Sequence, residues 1–533
     1  MRWGGDFRWI QSNLQTDQNA RGSFTFTGAR TAAVNQGLSP VEGTGYDFAD
    51  FLLGLPQLTS IQYGGGKYYF RGTSWDLFLQ DDWRVRSNIT FNLGMRYEYV
   101  SPVRELNDRM VNLDVAPGFT AVVPAFPGQA GLFTGIFPVG LLQPDRNNFA
   151  PRVGIAWRVT NRSTLRAGYG VNYNTGAYGS LAQQLAFQPP FSVTQTNINS
   201  GLQPLTLQNG FPTLPPETVT NNFGVNRDYR IGYVQIWNLD VQREFRSANL
   251  TLNLDYTGTK GTHLDVIEAP NRTATGLRIP GVQPFNWETS EANSTAHSGT
   301  IRLRRRLQGG FQMGGSYTFS KSIDNASSIG GTGGTVAQNA FDLAAERGLS
   351  NFDQSHRLNV DYIWELPFGR ERRFLANVPY FAGVLAGWQW SGTWNLASGL
   401  PFTARVLGSF TDVNRGTNGT LRANATGISP DLADPSVAQW FNTAAFVVPL
   451  AGQFGDVGRN TLRGPSASVF GMALSKIMPF ADGRSIELRA QASNIFNTPQ
   501  FRSIDTNLNS SSFGRVTSAG SMRKIQLTAR FRF

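Results

Sequence analysis

From Trp75 to Tyr99 the chain alternates apolar and polar residues with a period of two, the repeat of a β-strand and not the 3.6 of a helix. In the first arm Trp75, Leu77, Leu79, Trp83 and Val85 share one face, and Asp76, Gln80, Asp82, Arg84 and Arg86 share the other; Phe78 and Asp81 break the pattern. A tight turn at Ser87-Asn88 leads into Ile89, Phe91, Leu93, Met95, Tyr97 and Tyr99 on one face, against Thr90, Asn92, Arg96 and Glu98. Each arm runs about ten residues or more, whereas strands of soluble domains commonly run about five or six. About ten tilted residues are what a bilayer-crossing strand needs. The pair reads as a membrane-spanning hairpin.

The same pattern returns along the chain. Hairpins are expected over Pro151–Tyr173 with a turn at Asn161-Arg162, over Tyr233–Tyr256 with a turn at Arg246-Ser247, and over Ile301–Phe319 with a turn at Gln308-Gly309-Gly310. Further strands are expected at Leu358–Trp364, Trp388–Leu396, Val469–Met478, Ile486–Ser493 and Ile525–Phe533. Shorter ones are expected at Phe7–Ile10, Arg21–Thr27 and Thr59–Tyr63, with a short loop helix at Asp47–Leu53. The fold class is therefore all-β: an antiparallel transmembrane β-barrel with about 14 to 16 strands visible. Short turns mostly alternate with connections of tens of residues, the asymmetry of short periplasmic turns and long extracellular loops. Glu365–Gly387 is the exception, a long connection where a turn is due.

Composition sharpens this picture. No run of about 18 apolar residues is present, which excludes a conventional membrane helix. Charged residues make up 16% and aromatics 12%, with 58 glycines, a mixture suited to a barrel apolar outside and polar inside. Tyr97, Tyr99, Tyr173, Tyr256, Trp364 and Trp388 fall near strand ends, where aromatic girdles sit. Cysteine is absent, so disulfides, thiolate metal sites and a thiol nucleophile are excluded. The net charge of +11 is scattered along strands and turns, without the clustered basic patch of a nucleic-acid binder. It suits a solvated lumen or contact with anionic outer-membrane lipid. Met1–Asp6 leads into no apolar signal-peptide core, and the chain is expected to begin inside a strand.

Catalytic constellations are scarce, and no enzyme activity, cofactor or metal site is expected. His263, His297 and His356 are far apart and expected in loops with local hydrogen bonds. Ser521-Met522-Arg523-Lys524 matches S-x-x-K but lacks its companion motifs, and Gly330–Gly334 lacks the Lys-Ser/Thr of a phosphate loop. Arg302, Arg304 and Arg306 share one polar strand face. They could steer an anionic ligand through the lumen, or pair with lumen acids such as Asp240, Asp255 or Asp361, or with a plug. The alternating last strand ends on Phe531 and Phe533, which resembles the terminal signal by which outer-membrane proteins are recognised by the barrel assembly machinery.

Several stretches in order resemble the barrel region of Oar-like TonB-dependent transporters. They are Phe78-Leu79-Gln80-Asp81-Asp82-Trp83 with Asn92-Leu93-Gly94-Met95-Arg96-Tyr97, then Pro151-Arg152-Val153-Gly154 and Gly258-Thr259-Lys260-Gly261-Thr262-His263-Leu264. Next come Ser316-Tyr317-Thr318-Phe319-Ser320-Lys321-Ser322 and Gly399-Leu400-Pro401-Phe402-Thr403. Gly458-Arg459-Asn460-Thr461-Leu462-Arg463-Gly464-Pro465 and Asn494-Ile495-Phe496-Asn497 complete the series. The resemblance implies a larger barrel of the 22-stranded, plugged type, an N-terminal plug, and energy coupling to the TonB complex. On that reading residues 1–533 are the C-terminal barrel portion of an outer-membrane receptor and transporter for an unidentified ligand. The plug, the signal peptide and the TonB contact would belong to a missing N-terminal region. A structural or adhesive surface protein and a passive porin are the alternatives.

Overall fold

The computed structural model describes residues 1–16, 21–34, 41, 44–63, 66–199, 204–212, 219–273, 276–327, 337–368, 374, 386–406, 421–450, 452–479 and 484–533. Fourteen long strands make the main sheet. The first seven are β1 (Arg2–Thr16), β2 (Gly66–Arg86), β3 (Ile89–Val100), β4 (Phe149–Thr160), β5 (Ser163–Tyr173), β6 (Tyr233–Phe245) and β7 (Leu250–Glu268). They are followed by β8 (Asn286–Gln308), β9 (Phe311–Asp324), β10 (His356–Glu365), β11 (Trp388–Ala397), β12 (Ala467–Pro479), β13 (Ser485–Ser493) and β14 (Lys524–Arg532).

Each strand pairs antiparallel with the next in sequence, from β1 against β2 through β13 against β14. Such up-and-down order is what strands joined by short turns at one end produce. The β8–β9 turn places Gly309 at φ 61° and Gly310 at φ 80°. Two left-handed residues in a row match the right-handed strand twist of a tight hairpin, and glycine adopts them without strain. Among the described residues β1 pairs only with β2, and β14 only with β13.

The alternating faces persist through the sheet. Trp75 lies opposite Tyr99, Leu77 opposite Tyr97 and Leu79 opposite Met95, so one apolar face runs across the hairpin. Trp75, Leu77, Leu79 and Met95 are exposed, as are Leu93, Val153, Ile301, Leu303 and Leu527, while Tyr97 and Tyr99 are half-buried. A contiguous apolar surface of this size is foreign to a water-soluble monomer and suits a hydrocarbon solvent.

The buried core lies elsewhere. β8 has 23 residues and β2 has 21, about twice what crosses a membrane, so roughly half of each stands beyond it. There the long connections fold into a head. Tyr68, Phe70, Phe137, Leu181, Leu185 and Tyr229 make one core, and Leu421, Phe441, Phe446, Leu462, Leu508 and Phe513 make another. Helix α2 (Ala177–Ala186) supplies Leu181 and Leu185, four apart and hence on one face.

Two expected strands change role. Arg21–Thr27 and Thr59–Tyr63 become Ser23–Thr25 and Leu58–Tyr63, which pair with each other and with Val193–Ile198 in a separate three-stranded sheet of the head. Helix α1 (Asp47–Leu52) forms where a loop helix was expected. Most of the Glu365–Gly387 connection, and all of Gly330–Gly334, lie outside the described residues.

The alternation makes a directional prediction. Leu93→Arg, on the apolar face near mid-strand, should cost about 2–4 kcal/mol of folding stability in lipid. Asn92→Arg, whose neighbour Asp82 accepts its hydrogen bond at 2.5 Å, should cost under about 1 kcal/mol. Urea titration in lipid vesicles reads the difference.

Candidate ligand-facing site

Arg302, Arg304 and Arg306 lie on the polar face of β8, alternating with Ile301, Leu303 and Leu307 on the other. The neighbouring strands present Asn253 opposite Arg302 and Thr251 opposite Arg304. On the far side stand Ser316 and Gly314. Acids neutralise two of the three. Arg302 Nη1 lies 3.0 Å from Asp255 Oδ2, and Arg306 Nη1 lies 3.7 Å from Glu244 Oε1, while Arg246 approaches Oε2 of the same carboxylate. Arg304 makes no ion pair among the described residues.

Of the other expected acids, Asp240 pairs with Arg166 at 3.7 Å and accepts from Asn253 at 2.9 Å. Asp361 lies across Gly314, where a Cβ would touch its carboxylate, and does not reach the row. In these pairs the guanidinium groups are exposed and the carboxylates half-buried, and each is worth about 0–1 kcal/mol. The wall is thus a mixed-charge surface, with one uncommitted guanidinium at the middle of the row.

The histidines correct an expectation. His297 and His356 sit on strands, not in loops, because each occupies an apolar-face position where a tyrosine from the adjacent strand reaches it. Tyr256 Oη lies 2.9 Å from His297 Nδ1 and Tyr317 Oη lies 2.8 Å from His356 Nδ1. His263 lies on β7 at φ 54°, beside a register shift, with a ring nitrogen 3.3 Å from the Ser290 carbonyl oxygen.

Pattern reading alone missed how the loops are held. Arg459 bonds the carboxylate of Asp324, the carbonyl oxygen of Glu346 at 2.8 Å and Ser327 Oγ at 3.0 Å, while Arg422 pairs with Glu346 at 2.8 Å. All four charged side chains are buried. Asn460 Nδ2 donates to the Leu349 carbonyl and to Asn351, and Arg463 pairs with Asp353 at 2.8 Å. A Cβ at Gly399 would collide with the Gly464 carbonyl, which fixes glycine there. The Gly458–Pro465 and Gly399–Thr403 stretches therefore bind the connection after β11 to the one after β9.

A second buried polar group lies at the head ends of β7 and β8. Tyr229 donates to Asp265, and Glu288 is fully buried with both carboxylate oxygens unpartnered. Burial first, then the nearby Asp265 charge, pushes Glu288 from the ordinary 4.5 up to about 9. Glu268, buried and bonded by Thr289 at 3.3 Å, is pushed up to about 8, chiefly by burial.

Phe531 lies near the end of β14 and Phe533 directly follows it, both exposed, with ring centroids 6.2 Å apart. Phe531 lies opposite Ile486 on the apolar face.

A sequential antiparallel sheet with one apolar face, short turns at one end and a folded head at the other defines an outer-membrane β-barrel. Residues 1–526 match the family model of the outer membrane beta barrel domain, and the chain belongs to that family. Its place is the bacterial outer membrane. No curated protein matches the sequence.

Among solved structures the chain is similar to the outer membrane transporter YddB from Escherichia coli, with 11% identity, 98% of this chain and 50% of that one covered, and a TM-score of 0.48. It is similar to the siderophore receptor PiuA from Acinetobacter baumannii, with 10% identity, 89% and 44% covered, and a TM-score of 0.41. It is also similar to the pyoverdine receptor FpvA from Pseudomonas aeruginosa, with 10% identity, 88% and 43% covered, and a TM-score of 0.43. The chain spans half or less of the length of each.

Two substitutions probe the head. Arg459→Ala leaves Asp324 buried without its cation and should destabilise the connection after β11 by about 3–5 kcal/mol, read as faster proteolysis between residues 421 and 463. Glu288 holds its proton more tightly folded than unfolded. The stability present below about pH 4.5 is therefore lost as pH rises toward about 9. Glu288→Gln should flatten that loss: hydrogen exchange of the head should match the parent at pH 5 and be slower than the parent at pH 8.

Proposed function

We propose that this chain is the barrel portion of an Oar-like TonB-dependent receptor and transporter, whose loop head captures a ligand and whose lumen passes it inward. The observation that carries the reading is the ordered series of motifs, because its least generic members, Gly399–Thr403 and Gly458–Pro465, are the ones that organise the head. The outer edges of β1 and β14, unpaired among the described residues, support it further. Backbone groups inside a bilayer need partners, and about eight more strands would bring the sheet to the 22 of the plugged barrels. In this reading the plug and the TonB contact lie in sequence upstream of Met1, and Phe531 and Phe533 form the signal read by the barrel assembly machinery.

The test is the reading frame upstream of Met1 in the source gene. Further alternating strands and a plug-sized domain there support the receptor. A signal peptide alone would replace it with a self-closed porin or an adhesin.

Within the lumen, Arg302 and Arg306 serve the wall and Arg304 is the charge available to a passing anion. Arg304→Ala should lower uptake of an anionic ligand several-fold and weaken its dependence on ionic strength. Arg302→Ala, whose charge is already matched by Asp255, should do less. Equal uptake by the parent and Arg304→Ala would reject the steering role.

A further inference from the structure

The apolar face of β6 to β9 carries a groove that neither the lumen nor the head uses. Leu239, Leu254, Tyr256, Ile301, Tyr317 and Phe319 line it around a volume of about 430 Å³. Its floor is Gly299, which lies between Tyr256 and Phe319 in register. A Cβ added at Gly299 would meet nothing within 4 Å, so the space is open and not filled by a neighbour. From Leu250 to Lys260 is about ten residues, or roughly 34 Å along the strand and about 25 Å along the membrane normal at the usual tilt of about 40°. Leu254 and Tyr256 lie at the middle of that span, so the groove sits at mid-bilayer and Lys260 stands at the head-side edge of the band, an outer-leaflet's depth above it.

Its upper end changes character within one residue step. Tyr256 and Tyr317 pair with His297 and His356, and Trp237 Nε1 donates to Tyr256 Oη at 3.4 Å. When Tyr256 in turn donates to His297 Nδ1, the ring carries its proton on Nε2 and has a donor to offer. Lys321 lies directly across from His297. Lys260 and Arg347 both donate to Asn293 Oδ1, each at 3.2 Å, which gathers them at the same rim. Among the described residues none of Lys260, Lys321 and Arg347 makes an ion pair.

The geometry points to a bound-lipid site for a phosphorylated glycolipid of the outer leaflet, with an acyl chain along Leu254 and Ile301 and a phosphate against Lys260 and Lys321. An apolar groove in a lipid-facing wall takes hydrocarbon. Unpaired cations beside an imidazole donor at its mouth select an anionic headgroup, since charge-assisted bonds to phosphate oxygens are short and strong. The occupant's two ends therefore match the two ends of the groove.

The test is native mass spectrometry of the protein extracted from outer membranes into neutral detergent, followed by rebinding of purified lipopolysaccharide, its dephosphorylated form, or phosphatidylcholine. The parent should retain phosphorylated lipopolysaccharide. The double variant Lys260→Gln, Lys321→Gln should retain about tenfold less, and Lys260→Arg, Lys321→Arg should keep it. Gly299→Leu fills the groove and leaves the charges, and should lose retention as well; heat-modifiable gel mobility verifies that each variant is folded. Retention unchanged by Gly299→Leu would reduce the site to surface electrostatics and overturn it. Equal retention of the phosphorylated and dephosphorylated lipids would also overturn it, as would a lipid-free dimer that Gly299→Leu dissociates.

Discussion

Inside hydrocarbon, a backbone N–H or C=O without a partner costs several kcal/mol, and everything else in this molecule follows from satisfying those groups between strands. Sequential antiparallel pairing does so with the least connecting chain. Once Trp75 lies opposite Tyr99 and Leu79 opposite Met95, each strand's register fixes that of its neighbour, since a slip of one residue would turn Leu77 and Leu93 inward and Asp76 and Asn92 into lipid. The same constraint makes the edges of β1 and β14 consequential: in a membrane they are positions that demand a partner strand.

Beyond the bilayer the governing interaction changes. The head ends of β2, β7 and β8 face water, so stability there comes from buried apolar clusters around Leu181 and Phe441 and from buried ion pairs among Arg459, Asp324, Arg422 and Glu346. Such pairs gain little net energy over an apolar core, but they are costly to break singly. They hold two long connections in one arrangement, as the proposed ligand-capturing head requires. Glu288 stands apart, because no described side chain satisfies its carboxylate.

The membrane part was legible because lipid imposes a pattern on one residue in two. Hairpins at Trp75–Tyr99 and Pro151–Tyr173 appear almost as their alternation outlines them. The head-side half of β8, Asn286 to Ser298, was not legible, since outside the bilayer its Thr, Ser, Ala and Asn residues carry no apolar stripe. Helix α2 was hidden within the long connection from Asn174 to Asp228, which was read without any element of its own. The arginine row was visible as a row, yet its division into Arg302 and Arg306, which are paired, and Arg304, which is not, depends on acids of the two preceding strands, Asp255 on β7 and Glu244 on β6. The lock around Arg459 joins residues more than a hundred positions apart, and only the resemblance, not periodicity, marked those stretches.

The account stands most directly on sidedness, and the absence of native cysteine makes that measurable. Single cysteines at Thr120 and Ser436, in the long connections, and at Ser87 and Ser247, in the short turns, should be treated with a membrane-impermeant maleimide. In intact cells Thr120→Cys and Ser436→Cys should label, while Ser87→Cys and Ser247→Cys should label only after the outer membrane is permeabilised. Labelling of the turn positions in intact cells, or protection of the long connections, would contradict the orientation on which head, lumen and lipid face all depend.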